Sequence, residues 1–243
     1  MKDTIYTIPV TEIFDEDCFC PFCSLYKRLE DEETAYAVGP AMMEPDYRGL
    51  TNSKGFCRNH IIMLNSLPKI LPLALVLKSR MGNLSEKLEL PKLSDKPKKK
   101  DAKLIDEYIS NLEGTLDSCV ICERIEKNTE RYFKTFVELM SEKEEFLEKV
   151  KKSGGFCMPH YIKILSHAKK ALNLKELKRI LPEIYSVQQK KFEKLQSDTG
   201  LFIDSFDYKN AGKPCSAPGD TVTKSSFLLN GEFTPQKKTL KDV

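Results

Sequence analysis

Two motifs, each present twice, constrain this chain of 243 residues more than any other feature. Cys-x-x-Cys occurs as CPFC at 20–23 and again as CVIC at 119–122. Gly-Phe-Cys-x-x-His occurs as GFCRNH at 55–60 and again as GFCMPH at 155–160. Both motifs recur in the same order, after 99 residues for the first and 100 for the second. This regularity predicts an internal duplication into two related units and not a longer repeat array.

The residue types in these motifs are those that bind zinc, which takes four sulfur or nitrogen ligands in a tetrahedron. A Cys-x-x-Cys turn can aim two thiolates at one point. Residues three apart on a helix share a face, so Cys157 and His160 can supply two further ligands. We therefore predict two structural Cys3His sites and two zinc ions per chain. Each site is predicted to form within one repeat: Cys20, Cys23, Cys57 and His60 in the N-terminal repeat, and Cys119, Cys122, Cys157 and His160 in the C-terminal repeat.

The motif cysteines could have roles other than binding structural zinc. An iron–sulfur cluster held by three cysteines and a histidine stays open as the alternative cofactor. Buried free cysteines are common in proteins, but they do not explain why the histidines recur at the same place. Haem attachment would need a histidine directly after Cys-x-x-Cys, and a thioredoxin-like pair would need a strand beside it. A catalytic zinc usually keeps one position for water, whereas four protein ligands close each site.

The remaining histidine and two remaining cysteines fall outside the motif pattern. His167 lies two turns beyond His160 and is either an outer partner of the metal site or a polar residue on a half-exposed helix. Cys18 has an aspartate as its counterpart in the second repeat, and Cys215 has no counterpart. We leave these three residues out of the predicted sites.

Apolar residues recur at helical spacing in both repeats, and no segment alternates as a strand with hairpin turns would. The clearest stripe runs from Ile121 to Met140, and Leu174 to Leu195 indicates a further long helix with Pro182 inside it. The predicted fold class is therefore all-α. The predicted organisation is a first helical metal-binding unit (1–94), a lysine-rich linker (95–103), a second helical metal-binding unit (104–199) and an extended, partly disordered docking tail (200–243), in which LFIDSFDYKN is apolar enough to dock.

Composition and charge exclude several classes of protein. Hydrophobic residues make up 40% and charged residues 31%, which is ordinary for a soluble globular protein. The N-terminus lacks the pattern of a secretory signal, and the apolar run at 70–77 is too short to span a bilayer. We expect a cytosolic protein with reduced thiols. The net charge of +3 is equalled by the five lysines and two aspartates of 95–103, so a nucleic-acid groove is not expected.

The motifs CPFC, GFCRNH, CVIC and GFCMPH, together with the later stretch FDYKNAGKP, resemble the domain-of-unknown-function family 6062 of bacterial proteins. The resemblance covers most of the chain. It implies the same paired-motif architecture and carries no activity over to this chain.

No nucleophile–base pair, phosphate-binding loop or dinucleotide fingerprint occurs in the sequence. The sequence therefore favours a binding or adaptor protein that acts through an unidentified protein or small-molecule partner. The alternative is a redox protein or enzyme that uses one of the two metal sites.

Overall fold

In the computed structural model of the chain, the residues described are 5–95, 99–116, 118–210 and 214–232. Within these ranges the regular structure is helical and no strand occurs, which confirms the predicted all-α class. The α-helices of the described residues are α1 (Thr7–Glu12), α2 (Pro21–Ala37), α3 (Pro45–Lys54), α4 (Arg58–Ser66), α5 (Ile70–Lys87), α6 (Lys99–Glu113), α7 (Val120–Glu142), α8 (Glu144–Lys152), α9 (Met158–Ala171), α10 (Leu174–Asp204) and α11 (Thr221–Asn230).

The chain divides into two compact units, and both are discontinuous in sequence. Unit 1 contains the described residues of 1–28 and 127–234, and unit 2 contains those of 29–126. The division falls inside two helices, so one part of α2 and one part of α7 belong to each unit. These units differ from the contiguous ones, 1–94 and 104–199, that the repeat pattern predicts.

Unit 1 is built on a cluster of phenylalanines. Phe22 in α2 stacks on Phe133 in α7, with ring centroids 4.1 Å apart, and Phe136 packs edge-on to Phe22 at 5.2 Å. Phe156, just before α9, lies 5.8 Å from Phe136 and is fully buried. Helix α10 covers this core, packing against α8, α9 and α11. Edge-to-face and offset contacts of this kind stabilise a core beyond the area that they bury.

Unit 2 has a smaller apolar core, and a buried arginine joins several of its segments. Of the largest fully buried side chains in the described residues, Leu64, Ile121 and Ile125 belong to this unit, while the others belong to unit 1. Helix α5 packs against α3 and α4. From α5, the buried Arg80 donates hydrogen bonds to backbone carbonyls, one of them that of Thr115 at 2.9 Å. A buried guanidinium joins segments whose carbonyls would otherwise have no partner.

The structure differs from the prediction in the linker and in the tail. Lys99–Lys103 form the first turn of α6, where Asp101 is buried and accepts hydrogen bonds from the backbone and hydroxyl of Ser94. Residues 96–98 of the predicted linker lie outside the described residues. The acidic Asp101 in the first turn favours a helix start among these lysines, because a negative charge there interacts favourably with the positive end of the helix dipole.

In the tail, most side chains of the stretch LFIDSFDYKN are exposed. Its first four residues end α10, and Phe206 and Tyr208 are 75% and 82% exposed. The docked element is α11, whose Leu228 is buried and whose Ser225 shares a hydrogen bond with Thr199. The tail residues 211–213 and 233–243 lie outside the described residues.

None of the described helices combines the length and apolar character that crossing a bilayer requires.

Two candidate metal centres

The structure brings all eight predicted ligands into two clusters, but the two repeats exchange partners. In each cluster the sulfur and nitrogen atoms lie within 4.8 Å of one another. The clusters are site 1, in unit 1, formed by Cys20, Cys23, Cys157 and His160, and site 2, in unit 2, formed by Cys57, His60, Cys119 and Cys122. The predicted pairing within each repeat is therefore wrong. Each Cys-x-x-Cys motif meets the Cys-x-x-His motif of the other repeat.

Core packing explains the partner choice at site 1. Phe22 lies between the two cysteines of the first Cys-x-x-Cys motif and stacks on Phe133 of α7. The imidazole of His160 packs against both rings, with centroid distances of 5.9 Å to Phe22 and 5.8 Å to Phe133. Burying Phe22 in this core therefore carries Cys20 and Cys23 to His160.

Backbone contacts explain the partner choice at site 2. The amide of Val120 donates to the carbonyl of Gly55 at 3.1 Å, and the hydroxyl of Ser118 donates to the carbonyl of Lys54 at 2.8 Å. The Lys54 ammonium also pairs with Glu123. These contacts join the start of α7 to the loop before α4, and they hold the second Cys-x-x-Cys motif against His60.

The distances within both clusters fit one tetrahedral ion. At site 1 the Sγ of Cys157 lies 3.8 Å from that of Cys20 and 3.7 Å from that of Cys23, and His160 Nδ1 lies 3.1–3.5 Å from the three sulfurs. At site 2 His60 Nδ1 lies 3.2–3.3 Å from its three sulfurs. Zinc bonds of about 2.3 Å to sulfur and about 2.0 Å to nitrogen place two sulfurs about 3.8 Å apart, and a sulfur and a nitrogen about 3.5 Å apart, in a tetrahedron.

The two Gly-Phe-Cys-x-x-His motifs have the same local conformation. Cys57 and Cys157 are the N-cap residues of α4 and α9, with extended backbone at φ −72° and −75°. Each histidine thus lies in the first turn of its helix, on the same side as its cysteine. Gly55 and Gly155 have φ of 69° and 76°, a conformation that side chains rarely adopt. This turn aims both ligands of each motif at one point.

A basic side chain from a later helix packs on each of these glycines. A Cβ added to Gly55 would stand 3.0 Å from Arg80, and one added to Gly155 would stand 3.2 Å from Lys191. The Lys191 ammonium donates to the carbonyls of Phe19 and Gly155 and lies 3.6 Å from the centre of the Phe19 ring. Burial lowers the pKa of Lys191. The sequence pattern gave no signal for Arg80 or Lys191, because both lie outside the motifs.

Each cluster favours a thiolate even before a cation binds. Hydrogen bonds from Cys157 and Cys20 hold the pKa of Cys23 well below its ordinary value. Hydrogen bonds from Cys119 and Cys122 do the same to the pKa of Cys57. Thiolate is the form that binds metal, so each cluster offers one such ligand. Burial raises the pKa of Cys20, and the hydrogen bond with Cys119 raises the pKa of Cys122, so both of these thiols must lose a proton when a cation binds.

The surroundings of the two histidines differ. The Nε2 of His60 lies 3.3 Å from Glu30 Oε1, within ion-pair distance but not aligned as a hydrogen bond. A carboxylate at this place orients a metal-binding imidazole and raises its basicity. Thr129 occupies the corresponding position 99 residues later. All four residues of site 1 are buried, whereas Cys57 and Cys122 of site 2 are half-buried.

The three residues left out of the predicted sites also lie outside both clusters. His167 Nε2 lies 3.0 Å from Glu130, and its ring stacks on Phe133 with centroids 5.3 Å apart. The Phe133 ring therefore contacts both His167 and His160. Burial lowers the pKa of His167 and raises that of Cys18. Cys215 is exposed.

Unit 1 also contains a cleft of about 560 Å³ beside the loops of site 1. Phe19, Val187 and Leu195 form part of its apolar lining. The charged side chains around it are Asp17, Lys151, Lys190, Lys191, Lys194, Asp198, Asp220 and Lys224. A cleft of this volume is large enough for a small molecule.

Comparison with known proteins agrees with the resemblance that the motifs suggest. The family model of DUF6062, described as a family of unknown function, matches residues 1–236 of the chain. No curated protein and no solved structure matches the chain. The family match covers both clusters and all the described helices.

Proposed function

The chain belongs to DUF6062, a family of unknown function, and we propose that it binds two zinc ions that stabilise its fold. The observation that carries this proposal is the closeness of four ligand atoms, all within 4.8 Å, in each cluster. Three sulfurs and one imidazole nitrogen at tetrahedral distances are a donor set that zinc prefers.

The same distances favour a single ion over an iron–sulfur cluster. A cluster places several iron and sulfide atoms between its protein ligands, so its four ligand atoms stand farther apart than those around one ion. Neighbouring sulfurs 3.7–3.8 Å apart leave room for one ion between them. The sulfurs are also too far apart for disulfides, whose bond length is about 2.0 Å.

A structural role is favoured over a catalytic one. Catalytic zinc usually has three protein ligands and a position for water or substrate, whereas each cluster here supplies four protein ligands. All four candidate ligands of site 1 are also buried, as is usual for a structural ion. The bound ion would supply the energy that joins a Cys-x-x-Cys loop to a distant helix.

The biological role that we propose is binding of a partner in a reducing compartment such as the cytosol, where the six ligand thiols stay reduced. The cleft of unit 1 supports this role because it combines apolar walls with five lysines and three aspartates. A redox protein or enzyme that uses site 2 is the rival, since two of its sulfurs are half-buried.

Metal analysis of protein purified anaerobically tests the proposal. We expect about two zinc ions per chain and no absorption in the visible range. Iron with acid-labile sulfide and a visible spectrum would favour the rival. Protein that folds fully without metal would show that the clusters have another purpose.

We also propose that the two repeats arose by duplication. The matching glycine conformations, the matching N-cap cysteines and the basic side chains on both glycines support this history. The exchange of partners is what a dimer of single repeats would give after fusion, if each copy had lent its Cys-x-x-Cys loop to the other.

A further inference from the structure

The two sites differ in how deeply their cysteines are buried. At site 1 all three cysteines are buried. At site 2 Cys119 is only 5% exposed, but Cys57 and Cys122 are half-buried. The Sγ atoms of Cys57 and Cys122 lie 3.7 Å apart. The two less buried cysteines of site 2 therefore have neighbouring sulfurs.

We propose that Cys57 and Cys122 form an oxidative modification site, at which a peroxide converts the two thiolates into a disulfide and releases the ion. This inference rests on the proposed function, because the metal keeps both sulfurs in the thiolate form. It adds a response to oxidants to a site whose role would otherwise be structural.

The chemistry proceeds in two steps with hydrogen peroxide as the oxidant. One thiolate attacks a peroxide oxygen, the O–O bond breaks, and a sulfenic acid and one hydroxide form. The second thiolate then attacks the sulfenic sulfur, forming the S–S bond and releasing a second hydroxide. The two sulfurs together lose two electrons, and the peroxide gains them.

The geometry favours a disulfide between these two sulfurs. Closing from 3.7 Å to a bond of about 2.0 Å requires a shift of less than about 2 Å. Cys57 is the N-cap of α4, a helix of nine residues, and only its carbonyl takes part in the helix, accepting a hydrogen bond from the Ile61 amide at 2.9 Å, so its side chain can turn without breaking that bond. A small rotation at this end of α4 is therefore sufficient.

Loss of two ligands leaves Cys119 and His60, and two ligands hold zinc weakly. The ion then leaves, and the start of α7 loses its metal link to α4. Site 1 provides an internal reference in the same chain because its sulfurs are shielded from a solvent-borne oxidant. Oxidation should therefore empty one site and spare the other.

The test uses the full chain carrying Cys18→Ser and Cys215→Ser, which removes the two thiols outside the clusters. Hydrogen peroxide is added, released zinc is followed with a chromogenic chelator, and disulfides are mapped by mass spectrometry. We expect one zinc ion per chain to leave as a Cys57–Cys122 disulfide forms, and the second to leave at least about tenfold more slowly. A dithiol and added zinc should restore site 2.

A second variant, Cys122→His, keeps four zinc ligands but cannot form the disulfide. Its site 2 should lose zinc to peroxide about tenfold more slowly than that of the parent. Release of both ions at one rate, or a mapped disulfide between other cysteines, would overturn the inference while leaving the zinc proposal intact. Absence of zinc before oxidation would overturn the proposed function, and disulfide mapping on the same sample would still test the pairing of Cys57 with Cys122.

Discussion

Site 1 and site 2 have the same ligand types at nearly the same distances, yet their surroundings are unlike. Site 1 lies against the phenylalanine cluster of unit 1, with His160 packed on Phe22 and Phe133. Site 2 lies in a unit with fewer large buried side chains, and its His60 faces Glu30. The same chemical centre is thus embedded in an aromatic core in one unit and supported by charged side chains in the other.

For the zinc ions that we propose, this difference separates two properties: how firmly the ion is retained and how much the fold depends on it. Burial of the sulfurs controls how easily the ion is attacked or exchanged, which favours retention at site 1. The size of the surrounding core controls how much the fold depends on the ion, since small cores need additional links. Site 2 is therefore expected to be both the more accessible site and the more important one for its own unit.

The largest expected effect is loss of helicity when site 2 is broken. His60→Ala should remove one zinc ion and unfold much of unit 2, lowering the melting temperature by on the order of 10 °C. His160→Ala should also remove one ion, but the phenylalanine core should retain more of the helices of unit 1. Circular dichroism melts with metal counts measure both. Equal loss of helicity in the two variants would show that core size does not matter.

The next effect concerns the basic side chains that pack on the two glycines. Lys191→Met leaves the carbonyls of Phe19 and Gly155 without this donor, so we expect it to destabilise unit 1 by about 1–3 kcal/mol. Arg80→Met should destabilise unit 2 at least as much because Arg80 serves three carbonyls. Denaturant unfolding measures both changes. Lys190→Met, at the exposed neighbouring position, is the matched control and should change stability little.

A smaller effect is expected from the carboxylate beside His60. Glu30→Gln removes the negative charge 3.3 Å from Nε2, so the zinc affinity of site 2 should fall about tenfold while that of site 1 stays the same. Competition with a chelator of known affinity measures this change. Glu32→Gln, an exposed change on the same helix, should leave both affinities unaltered. A fall at both sites would show that the effect is not local to His60.

The smallest effect is expected at the start of α6. Replacing Lys99, Lys100 and Lys103 with glutamine should leave the helicity and zinc content of both units unchanged, because Lys99, Lys100 and Lys103 are exposed. Asp101→Asn is the contrasting variant, since Asp101 is buried and accepts two hydrogen bonds from Ser94. Circular dichroism should detect a loss of stability in Asp101→Asn alone.

The helices and the candidate ligands were predictable because each depends on local pattern. The apolar stripe from Ile121 to Met140 gives α7, and the stripe around Leu25 and Leu29 gives α2. Cysteine and histidine three residues apart at the start of a helix share a face wherever that helix lies. All eight residues predicted as ligands accordingly lie in the two clusters.

Pairing of the motifs was not predictable, because the two Cys-x-x-Cys motifs are equivalent as patterns. The choice between them depends on tertiary contacts, such as Phe22 stacking on Phe133, that join residues 111 positions apart. Glu30, Arg80 and Lys191 were not predictable for the same reason, since they contact the sites from outside the motifs. Short helices such as α8 and α11 also escaped prediction, because nine or ten residues make fewer than about three helical turns.

The central claim, that the repeats exchange ligands, is tested most directly by zinc counts on two double variants. Cys20→Ser with Cys157→Ser alters two ligands of site 1, so we expect one zinc ion to remain per chain. Cys20→Ser with Cys57→Ser alters one ligand in each site, so both sites should be weakened and little zinc should survive a moderate chelator. The opposite result, one ion retained by Cys20→Ser/Cys57→Ser and none by Cys20→Ser/Cys157→Ser, would contradict the exchange and restore pairing within each repeat.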